Sequence, residues 1–63
     1  MIKLVLFVEK MLFDFEKIVI YDLEDNLLYR GTKTDFLEKN ILRDYTIATF
    51  WVHNDRLIIS ARR

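Results

Sequence analysis

Sixty-three residues, 52% of them apolar, carry ten basic and ten acidic side chains, no cysteine, no proline and a single glycine. That length allows one domain, residues 1–63, with one small core, and the lack of cysteine excludes a disulfide framework or a cysteine-bound zinc. The balanced charge offers neither the basic stripe of a phosphate-binding protein nor the acidic field of a nucleic-acid mimic.

A domain of about 60 residues buries only about 60% of the surface its unfolded chain exposes. An apolar content this high therefore predicts side chains left over for a groove or another chain. Low net charge leaves little repulsion between copies, which favours self-association. Absence of cysteine fits a cytoplasmic setting.

The chain opens with Ile2-Lys3-Leu4-Val5-Leu6-Phe7-Val8, closed by Glu9 and Lys10. A membrane span needs about 20 apolar residues, and no small-residue cleavage site follows. The run reads as a buried element of a folded domain, with no membrane attachment. By propensity, residues 2–13 favour a strand. Wound as a helix, they place Lys3, Lys10 and Asp14 on one narrow polar stripe. The helix is preferred, because two later hairpins need a cover on their apolar face. It is then apolar round most of its circumference, unusual for a surface element.

Lys17–Asp22 and Leu27–Arg30, separated by the polar Glu24-Asp25-Asn26, predict a first hairpin. A turn centred on Glu24-Asp25 sets Ile20 opposite Tyr29 and Tyr21 opposite Leu28. Ile18, Ile20 and Tyr29 then face the core, while Val19, Tyr21, Leu28 and Arg30 face away. Gly31 ends the strand. Thr32 followed three residues later by Asp35 resembles a capping box, and Phe36, Leu37 and Ile41 form the apolar stripe of a second helix ending near Arg43. Thr46–His53 and Arg56–Arg62 flank Asn54-Asp55, a pair that tolerates positive φ and predicts a tight hairpin turn. Val52 then faces Leu57, Phe50 faces Ile59 and Ala48 faces Ala61, all toward the core. His53 with Arg56, Trp51 with Ile58, Thr49 with Ser60 and Ile47 with Arg62 form the other face. The expected fold is α+β: an antiparallel sheet of two β-hairpins with two helices, in the order αββαββ.

This order, with Ile20-Tyr21-Asp22 and then Leu27-Leu28-Tyr29-Arg30-Gly31, resembles a loose group of small accessory proteins of Gram-positive bacteria and their prophages or mobile elements. Their pattern is an "IYD" strand end, a polar turn and an "LLYxG" second strand. The turn here, Leu23-Glu24-Asp25-Asn26, lacks the glycine of the tight form. The resemblance implies the αββαββ order and a mobile-element origin, and brings no catalytic residues with it. Such elements also encode inhibitors of host defence nucleases, so it implies an alternative: an inhibitor seated on a host nuclease or its nucleic-acid channel.

Candidate chemistry is sparse. His53 lies near Asp55 and Arg56, but without a serine or cysteine nucleophile in a recognisable motif it makes no triad. Asp14, Glu16, Asp22, Glu24 and Asp25 read as solvated turn charges. No residue spacing suits a metal, and no glycine-rich loop could cradle phosphate. No enzyme activity, cofactor or metal is expected. Arg30, Lys33, Arg56, Arg62 and Arg63 with Tyr21 and Trp51 suggest a weak single-strand nucleic-acid face, against which the equal number of acids argues. The favoured site is a protein interface on the outer sheet face, formed by Val19, Tyr21, Leu28, Arg30, Ile47, Trp51 and Ile58, or on the first helix. The expected partner is a second copy, giving a homodimer.

Overall fold

A computed structural model describes residues 2–11 and 17–63. Its elements are α1 (Leu4–Glu9), β1 (Lys17–Tyr21), β2 (Leu27–Gly31), α2 (Lys33–Lys39), β3 (Thr46–His53) and β4 (Arg56–Arg62). The strands form one sheet in the order β2-β1-β4-β3. Each hairpin is antiparallel, but the two meet through a parallel β1–β4 pair. The sheet is therefore mixed, which corrects the purely antiparallel arrangement.

The physical reason is in the hydrophobic pattern. A strand with neighbours on both sides is shielded even on a face that no helix covers, and Ile18, Val19 and Ile20 are three consecutive buried residues. β4 carries a similar run, Leu57-Ile58-Ile59, with its first and last members buried and Ile58 half-buried. These two runs take the centre and leave β2 and β3 at the edges.

Both helices cover the same face. Leu4 and Val8 of α1 and Phe36 of α2 join Ile18, Ile20, Tyr29, Leu57, Ile59 and Ala61 in one cluster. Phe36 is 1% exposed, and truncating such a ring costs about 3–5 kcal/mol. A chain of this length has a total stability of about 3–9 kcal/mol. Phe36 thus carries a large share of that stability.

α2 starts as expected: the Asp35 N–H donates to Thr32 Oγ1 at 3.1 Å. It stops before Arg43, because Asn40 adopts the left-handed conformation at φ 55 and closes the last turn. α1 is shorter than residues 2–13 and combines both readings of that segment. Ile2 and Lys3 are extended against β3: Lys3 bridges Thr46, and the Ile47 N–H donates to the Ile2 carbonyl at 2.9 Å. The helical turns follow from Leu4 to Glu9. The part of the expected stripe at Asp14 lies outside the described residues.

Asn54 and Asp55 have φ 50 and 61, and the pairs from His53–Arg56 to Thr49–Ser60 match the tight-turn register. A bulge then shifts the ladder, so Ala61 faces Ile47 and Arg62 faces Thr46. Ala48, expected against Ala61 in the core, is exposed. In the first hairpin Ile20 faces Tyr29, but a second bulge pairs Tyr21 with Leu27 rather than Leu28. The loop is held by Asp22, whose carboxylate accepts from the Glu24 N–H at 2.8 Å, the Asn26 N–H at 2.9 Å and the Asn26 side-chain amide at 3.1 Å.

Candidate interaction surface

Pairing across the four strands sets Arg30, Val19, Ile58 and Trp51 in one transverse row on the face away from the helices. Tyr21 stands in the next row, between Leu27 and Ser60. Five of the seven expected interface residues thus share this face. Leu28 and Ile47 do not: the two bulges turn them inward, where they pack against the core cluster. The face is most open at its edges. Val19 is only 6% exposed and Tyr21 and Ile58 are half-buried, whereas Leu27 and Trp51 are 55% and 48% exposed.

The sequence reading misses a second exposed apolar group, on the helical side. Phe50 and Val52 occupy the expected register and face, yet they are 51% and 56% exposed rather than core residues. β3 is an edge strand of the sheet, and among the described residues the helices cover it only in part. Phe7 reaches Phe50, with ring centroids 4.9 Å apart. Beside that contact, Ile2, Leu6, Phe7, Lys10 and Met11 line a shallow, almost wholly apolar groove of about 360 Å³.

Among the described residues the backbone of this edge is open as well. In a hairpin with a two-residue turn, the flanking residues exchange hydrogen bonds and alternate residues follow suit. His53, Trp51 and Thr49 thus bond to β4, and the N–H and C=O groups of Phe50 and Val52 point outward. At the start of the strand, Ile2 and Lys3 cover the edge. Natural edges are usually blunted by charge, proline, shortness or bulges. β2 follows that rule, with five residues, a bulge and Arg30. β3 has eight residues and no Asp, Glu, Lys or Arg, and its one bulge lies near its start, between Ile47 and Thr49. That absence of charge was the signal in the sequence.

Elsewhere the surface is ordinary. His53 is exposed at a strand end, its Nε2 lying 3.2 Å from the Asn54 side-chain amide. Arg63 lies 3.8 Å from Asp44 and over the Tyr45 ring. Arg30, Arg56 and Arg62 are exposed, while Asp14 and Glu16 lie outside the described residues. Among the described residues no polar or charged residue is buried, and no three acidic or histidine side chains gather closely enough to hold a metal ion. Among them, too, no helix is long and apolar enough to cross a membrane. Comparison with protein-family models, with curated proteins and with solved structures gives no match.

Proposed function

We propose that this chain is a non-enzymatic protein-interaction module that associates with itself through the apolar flank built by α1 and the edge strand β3. The supporting observation is that Phe50 and Val52 on the edge strand, and Ile2 and Leu6 in the N-terminal segment joined to it through Phe7 and Lys3, are each about half exposed. Burial of apolar surface stabilises association by about 25 cal/mol per Å², and a chain with no net charge opposes the approach of a second copy only weakly. Trp51, exposed on the opposite face of the same strand, extends the apolar surface around the edge.

Light scattering over a concentration series tests this. The mass is expected to rise from 7.7 kDa toward twice that value. Leu6→Glu, a change at an exposed helix position, is expected to hold the protein monomeric with unchanged far-UV circular dichroism. A strict monomer at high micromolar concentration contradicts the proposal.

A further inference from the structure

Resting on that reading, we infer how the two copies join: β3 pairs antiparallel with β3 of a second copy about a two-fold axis at Trp51, making one continuous eight-stranded sheet. An antiparallel edge is self-complementary, so one open strand is enough to build a closed, two-fold dimer. Nothing along β3 opposes it, since symmetric pairing brings no like charges together.

The register follows from the backbone and from what already covers the edge. Phe50 and Val52 present the outward N–H and C=O groups, so they must face outward-pointing residues of the other copy. Placing Phe50 opposite the partner's Val52, and Val52 opposite the partner's Phe50, makes two hydrogen-bonded pairs. Trp51 then meets the partner's Trp51 at the non-hydrogen-bonded position between them, where side chains approach most closely.

On the helical face, the row Tyr29–Ile20–Ile59–Phe50, buried up to the exposed Phe50, runs on into the partner's Val52, Leu57 and Ile18. On the outer face, the row Arg30–Val19–Ile58–Trp51 continues into its own mirror image. The partner's turn leaves the edge opposite Ala48, before the segment where Ile2 and Lys3 already pair. A register with Phe50 facing Phe50 drives that turn onto Thr46 and the Lys3 bridge. It also sets Trp51 against Thr49.

The area is of the right order. Leu6, Phe50, Trp51 and Val52, about half exposed, offer roughly 400 Å² of apolar surface per copy if a whole large side chain presents about 150–250 Å². The paired backbone adds to this, approaching the roughly 800 Å² per partner of a standard interface.

Single cysteines report the register cleanly, because the chain has none of its own. Cα atoms at a non-hydrogen-bonded pair are about 4.5 Å apart, within the 4.4–6.8 Å range, roughly, of a disulfide. Trp51→Cys is expected to form a disulfide-linked dimer readily under mild oxidation. Thr49→Cys is expected to stay largely unlinked, because four residues of offset separate its two copies by about 13 Å. If Trp51→Cys does not fold, a mixture of Phe50→Cys and Val52→Cys proteins is expected to give the mixed dimer in preference to either self-linked one.

Wild-type protein that is dimeric by mass, with folded Trp51→Cys unlinked or Thr49→Cys linked as fast, overturns this pairing and leaves the broader proposal standing. Preferential self-linking of Phe50→Cys overturns the register. A wild-type monomer at all concentrations overturns both.

Discussion

Asp22 shows how one side chain organises a loop that lacks the usual glycine. Its carboxylate gathers three N–H donors, and Asp25 takes the left-handed conformation at φ 66 that completes the reversal. Those donors favour the charged form. They hold its pKa below the ordinary 3.8, the Asn26 backbone N–H contributing most, then the Asn26 side chain, with Glu24 adding less. A carboxyl with a depressed folded-state pKa contributes stability that is present above its unfolded pKa and lost as pH falls through the folded one. The group is partly exposed and screened by water, so the effect is small. An NMR titration is expected to place the Asp22 midpoint below that of a free aspartate, with the Asn26 amide shifting at the same pH. A midpoint at or above the ordinary value contradicts the loop as described.

At the scale of elements, the joint between β2 and α2 is closely packed. The Tyr29 ring packs on Phe36 at 5.1 Å between centroids, and its hydroxyl donates to the Thr32 carbonyl at 3.0 Å. Burial, and then the nearby Asp35 charge, push its phenol pKa upward. Gly31 lies beneath this ring, and a Cβ there would fall 2.9 Å from Tyr29 Cζ. Glycine is needed at this position for space; its φ is not positive. Gly31→Ala is expected to lower stability by about 1–3 kcal/mol as an overpacking change, measurable as a lower urea midpoint with an unchanged slope. A neutral result indicates that the Tyr29 ring can move aside.

Much of this local structure was legible in the residues. The Asn54-Asp55 turn, the Thr32 cap and five ladder pairs of the second hairpin follow from local chemistry. What escaped was non-local. The unbroken Ile18-Val19-Ile20 run signals a central strand, but it does not say which strand lies beside it, so the parallel β1–β4 pairing was missed. Two bulges, neither marked by glycine, moved Leu28 and Ile47 from the outer face to the core. Alternation puts Phe50 and Val52 on the correct face but does not give their exposure, because exposure at a sheet edge depends on how far the helices reach. The outer row of Val19, Ile58, Trp51 and Arg30 was legible because it depends on alternation alone.

At the scale of the whole fold, the apolar surplus among the described residues has a definite place. The two central strands and the two helices absorb what a domain of this size can bury, and much of the rest lies along β3 and α1. Joining two copies through β3 covers that surplus and satisfies the open backbone with the same contact. Residue-resolved hydrogen exchange at low and high protein concentration tests this most directly, because it reads the strand's two edges separately. The Trp51 and His53 amides, bonded to β4, are expected to be protected at both concentrations. The Phe50 and Val52 amides are expected to exchange freely in dilute solution and to gain protection as the concentration rises. Rapid exchange at Phe50 and Val52 in a sample that is dimeric by mass contradicts the shared sheet.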